Sequence, residues 1–286
     1  MYLAINRNSS NARENLLEIY KGNLFYFTNV PSLLELSKYS IACIEKFSEG
    51  VDIEKIHCLF EKDKFVEFVL QVKKIFTNSK ESHQLVSEFI KHLGLDVNNC
   101  VFHAPRIRVI PPASYLSSGV SYNYKPHRDT WYGAVNSQIN AWMPVNLLTE
   151  CQGMWIAPPY FNTPIMNSSN LYSVKNWMES ERWKAASNID KETRAHPQPI
   201  DSITESNKIT YLGNPSDVLL FSAAHLHGSN INTTEQIRYS IDFRIIYLPD
   251  LNETGALNLD NECPDVLNSL DDFYHADTLK PWIKND

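Results

Sequence analysis

The sequence predicts a mainly β fold with added α-helix: a double-sheet jelly roll, preceded by a helical region over 1–100 and interrupted by a helical insertion over 160–210. Three observations predict it. Apolar residues recur at helical spacing through the first hundred residues, the texture changes at Arg106 to short extended segments broken by proline and glycine, and helical character returns near 171–187. The 286 residues are read as one domain, 1–286, with its core over 101–250 and a C-terminal tail over 251–286.

In the first region Leu33, Leu34, Leu36, Ile41, Ile44 and Phe47 form one stripe, Phe65, Phe68, Val69, Val72 and Phe76 a second, and Leu85, Phe89, Ile90 and Leu93 a third. Gly94 closes the last helix, and ordinary core packing accounts for these faces. Extended segments follow at 106–110, ending in Pro111-Pro112, at 122–127, and at 138–147 after a turn at Gly133. Further strands are expected at 154–157, 217–222 and 237–248, the last alternating through Tyr239, Ile241, Phe243 and Ile245. The 171–187 helix carries Trp177 and Trp183, and 195–207 reads as a polar loop, so the insertion is placed to cover the barrel mouth. The tail, with Asn252, Glu253, Asp260, Asp265, Asp271 and Asp272, is expected to wrap the surface.

Composition narrows the function. With 43% hydrophobic residues and only 9 glycines the chain is globular. A formal charge of -7 argues against a nucleic-acid partner, which needs a basic surface. No run reaches the roughly 18 apolar residues of a membrane span. Five cysteines at 43, 58, 100, 151 and 263, without a CxxC pair or a recognisable secretory signal, point to a reducing cytoplasm. The sequence carries no signal for an oligomeric state.

The chemistry concentrates in two segments. In Pro126-His127-Arg128-Asp129-Thr130-Trp131-Tyr132 a histidine and a carboxylate two residues apart share one face of an extended chain and can grip one metal ion. The second segment, Ala224-His225-Leu226-His227-Gly228-Ser229, supplies another imidazole. Two histidines and one carboxylate make the facial set of non-haem Fe(II) sites, which leaves the opposite coordination positions open. Zinc accepts the same donors, but the HExxH spacing of its common peptidase form is absent. Periodicity does not separate His225 from His227; the Gly228-Ser229 turn beside it favours His227. Arg238 lies eleven residues beyond His227 after a predicted turn, so a guanidinium returns near the metal, where the distal acid of a chelating keto acid would be its natural partner.

The combination of His127-x-Asp129, His227 and Arg238-x-Ser240 resembles the Fe(II)/2-oxoglutarate oxygenases, nearest to the phytanoyl-CoA dioxygenase-like branch, over roughly 106–247. The resemblance implies a double-stranded β-helix of cupin-like form. It implies iron held by His127, Asp129 and His227 as the catalytic metal centre, and 2-oxoglutarate held by Arg238 with Ser240 as a second anchor of its distal carboxylate. It also implies use of O2, with oxidative decarboxylation to succinate and carbon dioxide coupled to oxidation of a substrate carbon. Gln138, Asn140 and Trp142 share one strand parity, and Asn140 is the choice for a further 2-oxoglutarate contact, with satisfaction of a neighbouring strand as the equal alternative. Arg106 and Arg108 share a face and require an anion, from substrate, cosubstrate or Asp242, whereas Arg244 reads as structural.

Where many relatives carry Pro-Gly-Ser-His, this chain has Ala157-Pro158-Pro159-Tyr160-Phe161-Asn162, which argues against carrying over an acyl-CoA substrate. Retention of Asp129 argues against halogenation, since related halogenases lack that carboxylate. A small-molecule metabolite or natural-product intermediate is the expected substrate, hydroxylated, desaturated, cyclised or oxidatively cleaved. Tyr115, Tyr122, Trp131, Tyr132, Trp155, Tyr160 and Phe161 are expected at the mouth. The competing reading is a cupin-like metal-dependent isomerase or hydrolase without a keto acid, which leaves Arg238 unexplained.

Overall fold

The computed structural model describes residues 3–5, 12–122, 125–189, 191–251, 253–265, 270 and 272–283. Its first region holds β1 (Leu3–Ile5), α1 (Ala12–Tyr20), β2 (Leu24–Phe27), α2 (Pro31–Glu45), α3 (Lys62–Thr77) and α4 (Lys80–His92). The expected stripes become helix faces, most completely on α3, where Phe65, Phe68, Val69, Val72 and Phe76 are all buried; on α2 Leu33, Leu36 and Ile44 are buried, whereas Leu34 is exposed and Phe47 lies beyond the helix end. Ser79 caps α4 by accepting from Glu81 N, and Gly94, at φ +77°, ends it in the left-handed conformation that glycine adopts without strain. The region is not wholly helical, however. β2 is a short apolar run that pairs with a strand nearly two hundred residues away, a partnership invisible to local spacing.

Beyond it lie β3 (Cys100–His103), β4 (Arg106–Ile110), β5 (Ile139–Pro144), β6 (Met154–Ile156), α5 (Val174–Glu179), β7 (Ile209–Tyr211), β8 (Val218–Ser222), β9 (His227–Ser229), β10 (Arg238–Tyr247) and β11 (Phe273–His275). The larger sheet runs β1-β2-β8-β5-β10-β3-β11, with β4 also paired to β10. Its pairs are antiparallel except β1 with β2. β10 is long enough to serve both β4 and β3, which are interrupted at Ala104-Pro105, where proline offers no N–H to the ladder. The smaller sheet is β7-β6-β9, antiparallel throughout.

Strand alternation divides the larger sheet into two faces. Ile139, Ala141, Met143, Val218, Leu220, Tyr239, Ile241, Phe243 and Ile245 join the helices in the main apolar core. On the opposite face Trp142, Leu219 and Phe221 meet Met154 and Ile156 of the smaller sheet. The polar residues Arg238, Asp242 and Arg244 also face the space between the sheets, which is where the cavity lies. Among the described residues no helix is long and apolar enough to cross a membrane.

Three local expectations require correction. Among the described residues of 122–127 there is no strand: Gly119–Ser121 just before it is a turn of 3-10 helix, His127 makes an isolated bridge, and Asn123 and Tyr124 lie outside the described residues. The 171–187 helix is a short α5 followed by 3-10 turns over Glu181–Ser187. The tail is woven in rather than wrapped around. β11 extends the larger sheet, Asp260 accepts from Trp131 Nε1 and from Ile165 N, and Asp265 accepts from Ser173 Oγ. Asn252 and Asp271 lie outside the described residues.

Candidate active site

Main-chain hydrogen bonds bring the two motif segments together. His127 and His227 exchange reciprocal bonds, N to O at 2.9 Å in each direction, so the strand-like entry of one segment closes against β9. Arg128 is extended at φ −109°, ψ 143°, and Asp129 opens a turn of 3-10 helix that Gly133 ends at φ +84°. Alternation therefore sends His127 and Asp129 one way and Arg128 the other. Arg128 is buried and donates to the carbonyls of Ala224, Tyr160 and Thr163, with Asp260 at 3.2 Å from its Nε. Asp129 N bonds Ala223 O at 3.0 Å, which fixes the main chain from which the carboxylate projects.

The side chains of His127, Asp129 and His227 converge, with one ligating atom of each within 4.8 Å of the others. His127 Nδ1 lies 2.8 Å from Lys125 O and His227 Nδ1 3.0 Å from His225 O, contacts that require Nδ1–H donors. Nε2 of each ring then faces Asp129 Oδ1, at 3.3 and 3.7 Å. The other carboxylate oxygen, Oδ2, is held by Gln138 Nε2 at 3.3 Å and by Arg244 Nε at 3.6 Å. Burial raises the Asp129 pKa, but Arg244 and the two histidines outweigh it and hold the carboxyl far below the usual range. Burial, reinforced by His127, pushes His227 down to about 3, which keeps it neutral.

His225 is placed elsewhere. It is fully buried beside Phe161, with its ring nitrogens 3.2 Å from Ser222 O and 3.3 Å from Gly22 O. Of the two candidate histidines, the structure brings only His227 to Asp129.

A cavity of about 190 Å³ opens from the three residues into the space between the sheets. Arg106, Arg108, Arg238 and Arg244 line it, as do Gln138, Asn140 and Trp142. Arg108 pairs with Asp242, which also accepts from Arg244 Nη1 at 2.5 Å. Arg244 therefore links Asp242 to Asp129 and is part of the site, not the structural residue that its sequence position suggests. Alternation along β10 already carries that signal: Arg238, Ser240, Asp242 and Arg244 are consecutive same-face residues, all polar.

Arg238 differs from the other arginines. It is 3% exposed, and among the described residues its only acceptor is Gln152 O at 3.2 Å, while Nε has none. Ser240, wholly buried two residues along the same face, likewise has an unpartnered Oγ. Two orphaned buried donors side by side, one cationic, are costly unless an anion completes them. Asn140 Oδ1 accepts from Gln138 Nε2 at 2.9 Å, and Gln138 also donates to Asp129, so that oxygen is satisfied within its own segment and not by a neighbouring strand.

The mouth is built differently from expectation. Of the seven aromatic residues named above, Tyr122 and Tyr132 line the cavity. Tyr115 donates to Phe60 O among the helices. Trp131 and Trp155 form a separate buried cluster against which Tyr160 packs, and Phe161 packs with Ala224 and Ala256. Tyr172, Val174, Trp177 and Met178 of the insertion supply the wall instead, opposite Phe273. The insertion is docked by His196, which stacks on Tyr122 with ring centroids 4.1 Å apart, and at Gly119, where a Cβ would come within 2.4 Å of Ala185 O.

No family model matches the chain, and no curated protein matches it. Solved structures do resemble it distantly. The non-haem monooxygenase ThoJ in its apo form is 11% identical over 81% of this chain and 77% of that one, with a TM-score of 0.47. The epimerase SnoN in complex with Fe3+, alpha ketoglutarate and nogalamycin RO is 13% identical over 87% and 94%, at 0.42. EvdO2 from Micromonospora carbonacea var. aurantiaca complexed with 2-oxoglutarate is 14% identical over 65% of this chain, at 0.39; the chain spans 64% of EvdO2's length. Similarity at this level carries no argument about chemistry, so the functional reading rests on the residues themselves.

Proposed function

We propose that the chain is a non-haem Fe(II)/2-oxoglutarate-dependent oxygenase of the phytanoyl-CoA dioxygenase-like kind, a single-domain double-stranded β-helix that oxidises a small-molecule metabolite or natural-product intermediate. The observation that carries the reading is the orphaned buried Nε of Arg238, in the cavity that His127, Asp129 and His227 also enter, with the orphaned Ser240 Oγ buried two residues along the same strand. A metal site alone would serve the cupin-like isomerase or hydrolase equally well; an anion-seeking guanidinium beside it suits a keto acid with a second carboxylate.

In this reading the two Nε2 lone pairs and Asp129 Oδ1 hold ferrous iron, and the carbonyls of Lys125 and His225 fix the imidazole tautomers. Arg244 and Gln138 occupy Oδ2, which leaves Asp129 a single oxygen for the metal. Arg238 and Ser240 bind the distal carboxylate of 2-oxoglutarate, and Asn140 offers its amide nitrogen to the cosubstrate. Trp142, Met154 and Phe221 keep water from its methylene chain. Bound iron, with 2-oxoglutarate and O2, supplies the oxidising power that couples succinate and carbon dioxide release to substrate oxidation. The five unpaired cysteines support a cytoplasmic setting.

Succinate release requiring both Fe(II) and 2-oxoglutarate tests the proposal. Tight metal uptake with no 2-oxoglutarate binding would turn the reading toward the isomerase or hydrolase.

A further inference from the structure

Charge within the cavity points to the chemical class of the substrate. Four guanidiniums, Arg106, Arg108, Arg238 and Arg244, face it with three carboxylates, Asp129, Asp242 and Asp272. On the proposed function, on which this inference rests, a divalent metal and a doubly charged keto acid cancel, so the loaded cavity keeps one positive charge. Its position can be read from the pairing. Arg108 and Arg244 share Asp242, Arg244 also reaches Asp129, and Arg238 faces the keto acid.

Arg106 remains. Its Nη2 lies 2.8 Å from His103 Nε2, an acceptor because Nδ1 of that ring bonds Ala104 O at 2.9 Å; the partner is therefore neutral. Its carboxylate contact, Asp272 Oδ2 at 3.4 Å, is longer than that of Arg182 to the same oxygen, at 2.9 Å. Two guanidiniums thus share one carboxylate at the cavity mouth, where the Arg106 side chain is 37% exposed and can be reached. Beside them Tyr132, Tyr172, Val174, Trp177, Met178 and Phe273 form an apolar wall.

We infer that Arg106 is the anchor for a monoanionic substrate, a carboxylic acid with an apolar, ring-sized body that lies against the Tyr172 and Trp177 wall and extends inward to the metal. The acid takes up the unbalanced charge, and a guanidinium offers two parallel donors to it.

The test uses the full-length protein loaded with Mn(II) and 2-oxoglutarate, which fills the Arg238 site without turnover. Phenylacetate, cyclohexylacetate and indole-3-acetate, and the primary amide of each, are titrated by calorimetry. At least one acid should bind about ten-fold or more tighter than its amide, the scale of one charge-assisted hydrogen bond. Arg106→Gln should erase that preference and Arg106→Lys restore part of it, while 2-oxoglutarate affinity stays within two-fold of wild type in both. Acids and amides binding alike, no binding of any acid, or an acid preference intact in Arg106→Gln overturns the anchor and leaves the keto-acid reading standing. Failure of wild type to bind 2-oxoglutarate refutes the underlying function; an Arg106-dependent acid preference would then still uphold the anchor, and its absence would remove both.

Discussion

Replacing Arg238 by methionine separates a ligand-binding guanidinium from a structural one. Bound to 2-oxoglutarate, the arginine would make two charge-assisted hydrogen bonds to the distal carboxylate, each about 1.5–3 kcal/mol. Their loss predicts 2-oxoglutarate affinity weaker by roughly a hundred-fold to a few tens of thousands-fold. The apo protein should respond oppositely. Arg238 is 3% exposed with Nε unpartnered, and burial, then Arg108, lowers its pKa to about 10. Removing that unsatisfied cation relieves about 1–3 kcal/mol of desolvation, against about 0.5–1.5 kcal/mol lost with the bond to Gln152 O. Apo Tm should hold or rise by a few degrees while keto-acid binding collapses, read by calorimetry under anaerobic conditions and by differential scanning. A variant that binds 2-oxoglutarate within three-fold of wild type would refute the assignment, as would an apo Tm lower by more than about 5 °C, the mark of a structural strut.

Alanine at His127, Asp129 or His227 should abolish stoichiometric iron uptake and iron-dependent activity. His225→Ala should cost about 2–4 kcal/mol of stability through its buried ring and still show activity in the folded fraction, so equal loss of metal there would overturn the choice between the two histidines. Arg244→Gln, which frees Asp129 Oδ2 on one side, should weaken metal affinity about ten- to a hundred-fold with little change in Tm; unaltered affinity would return Arg244 to a structural role. Burial holds the His83 pKa below its ordinary value of 6.5, and the ring bonds Thr77 O at 2.8 Å. Its neutral form is the folded one, so this stability is complete above about pH 6.5 and is lost as pH falls through the depressed folded value. The Tm decline between pH 7 and 5 should be shallower in His83→Gln, and a parallel decline would discount the group.

Where residues declare themselves by local period, sequence and structure agree. The stripes on α2, α3 and α4, the alternation of β10 and the buried run of β8 all follow from packing one face. The His127-x-Asp129 pair is legible for the same reason, whereas the turn expected at Gly228 is absent: Gly228 lies inside β9 against the Trp155 ring, and the chain turns at 223–225 instead. What escaped depends on distant partners. β2 is stabilised by β8, and β9 is three residues long and exists because β6 pairs with it and His127 bridges to it. Tyr115, Trp155 and Phe161 are aromatic like the true mouth residues, and only tertiary placement separates them from Tyr172 and Trp177. Asp272 reaches the cavity from a tail whose charge resembles that of a solvated surface.

The reciprocal main-chain bonds between His127 and His227 bear on how the protein matures. In small zinc domains the metal assembles its own ligands, so removing it unfolds the chain. Here both histidines are aligned by peptide groups, their tautomers by carbonyls, and the carboxylate by Gln138 and Arg244. On the proposed function, folding and metallation should therefore be separable events. A chelator should strip the metal, leave the chain folded and allow reloading, and loss of the folded transition on chelation would refute this.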